Sequence, residues 1–349
     1  MESLITYRNE AFKENIQPIR EKTEHHYNLL NEATLKFIST LGDIEKRYLN
    51  SQETPEELLN AITMATTNIN HVCEQFERRV GHDSDIIKEA RIEFRKKTDH
   101  VLSNSYVVNR TRTWPQGYQG DYKTLEFIYR NSPQSEGIGY YLDLYCLNAT
   151  VAHAVRNRIK TLESILKEEI SMRKRPAVLN VACGSCRELM GLSDVIINSN
   201  AKVTCIDFDN DALDFAQSRL YHTGALPQIE LRKYNAARMF DHELNMAAFG
   251  KQDIIYSVGY FDYLETDFLV KMLSSLYMLL NPDGKLIMTF KDADYYKTQD
   301  YHWLIDWDGF LQRNENDFKR ILKKAWIPDN ALSQTRDKSG VIIFCTATK

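Results

Sequence analysis

Up to about residue 105, apolar residues recur every three or four positions, the period of an amphipathic helix. Leu30, Phe37, Leu41, Ile44 and Tyr48 make one stripe, interrupted at Thr34 and expected to end near Asn50. A second stripe opens at Thr54-Pro55-Glu56-Glu57. There a hydroxyl can accept from first-turn N–H groups, and Pro has no donor to leave unsatisfied. It continues through Leu58, Ile62, Ala65, Ile69, Val72 and Phe76. A third starts at Asp83 or Asp85 and uses Ile87, Ala90, Phe94 and Val101. Such stripes are the seams of an all-helical bundle or cap.

Between residues 104 and 137 the period breaks. The stretch Trp114-Pro115-Gln116-Gly117-Tyr118-Gln119-Gly120-Asp121-Tyr122 is too aromatic for a flexible linker and is expected to be an ordered loop. A helix returns from about Tyr140 to Glu169, and Pro176 makes a boundary after the basic run Arg173-Lys174-Arg175. Short β-rich runs then alternate with helices at 177–182, 202–206, 229–234, 253–258, 285–290 and 341–347. That alternation predicts βαβ units and a mostly parallel, doubly wound sheet. A Lys338-Ser339-Gly340 turn before the last run suggests a terminal antiparallel hairpin. The expected division is a helical bundle over 1–105, a loop and connecting helix over 106–176, and an α/β domain over 177–349.

A hydrophobic fraction of 43% is enough for a sizeable core, and the net charge of -4 gives no cationic face for a phosphate backbone. Nucleic acid is therefore not an expected partner. No apolar run is long enough to span a bilayer, and the stretch MESLITYRNEAFKENI lacks a signal-peptide core, so a cytoplasmic protein without stable membrane insertion is expected. Cys183 and Cys186 form a CxxC, but no second Cys pair or HxxxH follows at zinc spacing, so no metal is expected.

The first β run leads into Ala182-Cys183-Gly184-Ser185-Cys186, and the second ends at Asp207-Phe208-Asp209. A tight turn followed about twenty residues later by an acid is a nucleoside-binding arrangement, with the carboxylate placed to accept from ribose hydroxyls. Asp207 is the ribose candidate, and Asp209 suits a helix cap better. A dinucleotide needs three glycines so that its pyrophosphate can reach the helix N-terminus, and this turn offers only Gly184. S-adenosylmethionine has no phosphate, so the turn favours that cofactor over NAD.

These residues resemble class I S-adenosylmethionine-dependent methyltransferases over about 177–347. VLNVACGS is similar to their first motif, VTCIDFD to their second, and LLNPDGKLIMTF to the later turn and strand. WPQGYQGDY, AVRNR, VACGSCREL, SVGYFDYL and YHWLIDWDGFLQR resemble, in order, a bacterial subfamily that includes hydroxy fatty acid methyl ester biosynthesis enzymes. The resemblance implies a Rossmann-like, seven-stranded domain with a terminal antiparallel hairpin, preceded by an all-α domain. It further implies that Cys183, Gly184 and Ser185 line the methionine moiety, Asp207 and Phe208 hold ribose and adenine, Asn235 and Ala236 border the adenine, and Ser257 and Gly259 underlie the sulfonium. Asn180 departs from the family in replacing an acid, and Ala182 and Cys186 replace expected glycines.

Methyl transfer from a sulfonium is an in-line displacement, so the protein must align the reactants and exclude water. The candidates around the acceptor are Asp262 and Tyr263 after the fourth strand, and Asp294, Tyr295, His302 and Trp303 after the fifth. Tyr118, Asp121 and Tyr122 form a third wall. Carboxyl O-methylation of a hydroxy fatty acid or related acid needs no base, because the carboxylate is already the nucleophile. N-methylation of a small amino acid, amine or guanidine would instead use Asp262, Asp294, Asp306 and Asp308 beside aromatic faces. A noncatalytic S-adenosylmethionine or nucleotide module is the reading from another class. A small-molecule substrate is expected, and a homodimer is left open.

Overall fold

The computed structural model describes the backbone of residues 2–81 and 84–349, and the side chains of residues 23–81 and 84–349. Tertiary contacts divide the chain into two compact units. One comprises Met1–Gly120, Arg130–Ala149 and Thr298–Asp308; the other comprises Asp121–Tyr129, Thr150–Lys297 and Gly309–Lys349.

The first unit is helical. Helix α1 (Glu2–Leu49) buries Leu30, Phe37, Leu41 and Ile44, whereas Tyr48 is more than one-third exposed. The gap at Thr34 is buried as well, because its hydroxyl donates to the Leu30 carbonyl at 2.7 Å and leaves no unsatisfied polar group. Helix α2 (Pro55–Val80) starts with a capping box, in which Thr54 Oγ1 accepts from Glu57 N and the Glu57 carboxylate accepts from Thr54 N. Helix α3 (Ser84–Leu102) buries Ala90 and Phe94 as expected and differs from the expected stripe at its two ends. It buries Ile86, Ala90, Phe94 and Leu102, leaving Ile87 and Val101 half-buried; the candidate start Asp83 lies outside the described residues. Thr98, whose hydroxyl donates to the Phe94 carbonyl at 2.8 Å, completes that face.

The expected aromatic loop lies between two helices, α4 (Tyr106–Thr113) and α5 (Tyr122–Arg130), in the stretch where the apolar period breaks. Ser105 caps α4, accepting from Val108 N at 3.2 Å and donating to the buried Asp143 at 2.6 Å. The β-branched and arginine-rich sequence of α4 carried no apolar period to reveal it. The helix expected over Tyr140–Glu169 is two, α6 (Gly137–Asn148) and α7 (Thr150–Ser171), broken where Ala149 turns extended at ψ 146°.

The second unit holds a seven-stranded sheet: β1 (Ala177–Val181), β2 (Lys202–Asp207), β3 (Ile229–Lys233), β4 (Gln252–Ser257), β5 (Leu280–Lys291), β6 (Leu332–Arg336) and β7 (Ile342–Thr348). Their spatial order is β3-β2-β1-β4-β5-β7-β6. β1 to β5 run parallel, and β7 pairs antiparallel with both β5 and β6, with Met288 opposite Cys345. This is the Rossmann-like arrangement with a terminal antiparallel hairpin. β1, β2 and β4 are almost wholly buried along their length, as strands covered on both faces must be. β6 was not among the recognised runs because LSQTR is a polar edge strand.

The connecting helices are α8 (Leu189–Ser199), α9 (Asn210–Leu220), α10 (His242–Phe249), α11 (Thr266–Met278) and α12 (Glu315–Lys324). Leu269, Met272, Leu273 and Leu276 of α11 pack with Phe318, Ile321 and Leu322 of α12 and with Leu179, Ile255, Leu286 and Met288 of the sheet. The strand order reverses after β3, so that β4 lies on the other side of β1, and ligands of open α/β sheets bind at the carboxyl ends of the two strands flanking such a reversal.

Candidate functional site

The turn after β1 has Ala182 at φ +56°, Gly184 at +53° and Cys186 at +48°. The two positions where the family expects glycine are thus left-handed here as well, although occupied by side chains that strain there by about 1–2 kcal/mol each. A Cβ on Gly184 would meet nothing within 4 Å, so its backbone presents an open cradle. Asp207 fixes the turn from β2, with Oδ2 accepting from Gly184 N at 2.8 Å and Oδ1 from Asp209 N at 3.0 Å. Burial pushes the Asp207 carboxyl up, against the backbone N–H groups of Asp209, Gly184 and Phe208 that favour its charge. Each carboxylate oxygen has a second lone pair, which is what vicinal ribose hydroxyls require. Asp209 caps α9 through Asp211 N at 2.9 Å.

The other expected cofactor residues also lie at strand ends. Phe208 is half exposed, Asn235 caps the following turn through Ala237 N at 2.9 Å, and Ala236 is buried. Ser257 is fully buried and donates to the Val181 carbonyl at 2.8 Å, tying β4 to β1 beneath the turn. Gly259, at φ +85°, donates to Thr289 Oγ1 at 3.1 Å. Hydrogen bonds join Gly184 to Asp207, Cys183 to Ile206, and Ser185 to its own set of partners. The open cradle, the single glycine and the carboxylate fit a nucleoside bearing an amino-acid tail. Cys183 and Cys186 are free thiols, and no group of three His, Cys, Asp or Glu among the described residues is placed to hold a metal ion.

Several residues here gave no sequence signal. Glu126 Oε1 accepts from Ser185 at 2.8 Å, and Oε2 accepts from Arg187 at 2.7 Å and Arg219 at 2.5 Å. Burial opposes the Glu126 charge, but Arg219, Ser185 and Arg187 hold its carboxyl below the usual range. Under the turn, the buried Glu188 Oε1 accepts from Asn180 at 2.9 Å and from Tyr256 at 2.8 Å. An acid therefore does reach the place where the family's strand acid is missing, from eight residues downstream. Burial first, and the neighbouring Cys186 second, push Glu188 up to about 7.

Arg158, within AVRNR on α7, is 4% exposed. Its Nε and Nη2 donate to Tyr129 Oη at 3.1 and 2.8 Å, and Nη1 stands 2.9 Å from where a Cβ on Gly259 would lie.

The acceptor candidates divide between the units. Asp262 is buried in an ion pair with Lys291 Nζ at 2.5 Å and also accepts from Lys291 N at 3.1 Å. Burial pulls Lys291 down, and Asp262 opposes that shift. Tyr263 packs 5.9 Å from Phe310, and burial pushes its phenol up. Asp121 caps α5 through Lys123 N and Thr124 N at 2.9 and 3.2 Å, and Tyr122 packs 5.4 Å from Phe215. Asp294 is exposed; Tyr295 is half exposed beneath the Arg336 guanidinium at 4.6 Å. Tyr118, His302 and Trp303 belong to the helical unit. Trp303 is fully buried there, edge-on to Phe76 and Phe94, with Nε1 donating to Glu77 at 2.8 Å. Asp308 pairs with Arg91 at 3.3 Å and Arg95 at 3.0 Å, and Asp306 with Arg95 at 3.5 Å.

Residues 178–284 match the family model described as a methyltransferase domain. No curated protein matches the chain. Among solved structures, a possible exported protein from Bordetella parapertussis shares 16% identity over 92% of this chain and 96% of its own, with a TM-score of 0.57. Magnesium protoporphyrin IX methyltransferase from Synechocystis, with bound S-adenosylmethionine, shares 17% over 57% and 83% of the two chains at a TM-score of 0.40. The first likeness shows the fold. Residues 178–284 are a methyltransferase domain, which makes the chain an enzyme whose cofactor is S-adenosylmethionine. Among the described residues no helix is long and apolar enough to cross a membrane.

Proposed function

We propose that this S-adenosylmethionine-dependent methyltransferase esterifies the carboxylate of a small organic acid, a hydroxy fatty acid or a related acid. The observation that carries the reading is the Asp262–Lys291 pair, 2.5 Å apart and buried. An amine acceptor must lose a proton, and the acid best placed by sequence to take it already has both carboxylate oxygens engaged by Lys291, one by its Nζ and one by its backbone N. Asp306 and Asp308 are likewise committed to arginines, which leaves the acidic cage required for N-methylation without most of its members. A carboxylate acceptor needs no base, only alignment with the methyl group and exclusion of water. In this reading Asp207 holds the ribose, the Gly184 turn lies along the methionine moiety, and the ends of β4 and β5 face the acceptor.

The purified chain, supplied with isotopically labelled methyl donor, should form a base-labile methyl ester on 3-hydroxy fatty acids. It should transfer no label to glycine, guanidinoacetate or simple amines. Transfer to an amine would establish the N-methylation reading, and tight S-adenosylhomocysteine binding without transfer to any acceptor would favour the noncatalytic one.

A further inference from the structure

Arg158 is a buried cation, 4% exposed, and among the described residues no carboxylate forms an ion pair with it. Among the described residues its hydrogen bonds go only to the hydroxyl of Tyr129, which is neutral. Burial pushes that phenol up further, so it stays protonated. A guanidinium withdrawn from water without an anion costs several kcal/mol. The charges around it do not supply the anion. Lys291, close enough to be disfavoured by Arg158, is a second cation that takes up Asp262. Arg187, 5.2 Å from the centroid of the Tyr129 ring, is a third cation, and it shares the Glu126 carboxylate with Arg219. Glu188 feels Arg158 but spends its contacting oxygen on Asn180 and Tyr256.

The place of this cation in the sheet is equally specific. Nη1 stands 2.9 Å from the missing Cβ of Gly259, just past the carboxyl end of β4, where ligands bind in open α/β sheets. Gly259 is needed there twice, for its φ of +85° and to let the guanidinium reach the strand end. Tyr129 takes Nε and Nη2 and so fixes the plane of the fork, leaving Nη1 turned to the strand end.

We infer that Arg158 is the carboxylate-binding residue of this site, held in place by Tyr129 and admitted by Gly259. Two carboxylates belong to the reaction: that of the methionine moiety, and that of the acceptor if the esterification reading, on which the second source rests, is right. Either meets the same planar, two-donor chemistry.

The test uses the full chain with Arg158→Met and Arg158→Lys. Calorimetry compares S-adenosylhomocysteine with 5′-methylthioadenosine, which has the nucleoside and sulfur but no carboxylate. Methyl-transfer kinetics at saturating donor give the KM of a 3-hydroxy fatty acid. One carboxylate ligand should weaken on the order of 100-fold in Arg158→Met and less in Arg158→Lys, with 5′-methylthioadenosine unchanged. Weakened S-adenosylhomocysteine assigns the methionine carboxylate, and a raised acceptor KM alone assigns the acceptor. If Arg158→Met does not fold, Arg158→Lys, which keeps the charge and the stem, carries the measurement. Wild-type affinity for both carboxylates in a folded variant overturns the inference. If the wild-type chain esterifies no acid, the proposed function fails, and the comparison of S-adenosylhomocysteine with 5′-methylthioadenosine alone decides the role of Arg158.

Discussion

Gly184 N donates to Asp207 Oδ2 at 2.8 Å, so the carboxylate at the end of β2 shapes the turn after β1. One residue therefore serves both as the expected ribose ligand and as the support of the backbone beside it.

Replacing Asp207 removes both contributions. Asp207→Ala is expected to weaken S-adenosylhomocysteine by about 1–3 kcal/mol, the loss of charge-assisted hydrogen bonds. Asp207→Asn, which still offers one acceptor to Gly184 N, should lose less. Calorimetry on the two variants checks this, and unchanged affinity in Asp207→Ala would remove the residue from the ribose role.

Glu188 gives a pH dependence with a definite sign. Its carboxyl is raised from the ordinary 4.5 to about 7, so the folded protein binds its proton more tightly than the unfolded chain does. The contribution is fully present below about 4.5 and is lost as pH rises through about 7, amounting to on the order of 3 kcal/mol. Urea melts across that window should show wild-type stability falling, relative to Glu188→Gln, as pH increases. A constant difference between the two proteins from pH 4.5 to pH 8 would contradict it.

Ala182 sits at φ +56°, where glycine is at ease and β-branched residues are not. Ala182→Gly should be neutral or stabilising by up to about 1 kcal/mol, because relieved strain is partly offset by the larger entropy of the unfolded chain. Ala182→Val should destabilise by at least about 2 kcal/mol. Denaturant midpoints of the two variants should move in opposite directions from wild type, or at least be widely separated.

Lys291→Met would strand the Asp262 carboxylate in a buried site. A loss of about 3–5 kcal/mol is expected, and the added change Asp262→Leu should recover much of it. A double-mutant cycle by chemical denaturation reads the coupling directly, and additive losses would show that the pair is not the unit described here.

The sequence by itself determined the elements with strong local periodicity or a local cap. The Thr54 N-cap followed by Pro55, the buried β1 and β2 runs, and the single-glycine turn followed by Asp207 could each be read from neighbouring residues. Helix α4 escaped because no apolar period marks it as a helix, and α5 because its period, through Tyr122, Leu125, Ile128 and Tyr129, spans only nine residues. The α6–α7 break escaped because nothing in Leu147-Asn148-Ala149-Thr150 forbids continuing, and the ends of the α3 stripe were misplaced by one residue because Ile86 and Ile87, like Val101 and Leu102, are equally apolar. Tertiary structure alone decided the chemistry of the charges. Asp262, Asp294, Asp306 and Asp308 look alike as sequence, and three of them are taken up by Lys291, Arg91 and Arg95. Glu188 reaches the space beside Asn180, while Arg158 arrives at Gly259 hydrogen-bonded to the Tyr129 phenol. Local propensity acts over a few residues, whereas desolvation and pairing of a charge depend on groups brought together from as far as 29 positions apart, as for Tyr129 and Arg158, or 217, as for Arg91 and Asp308.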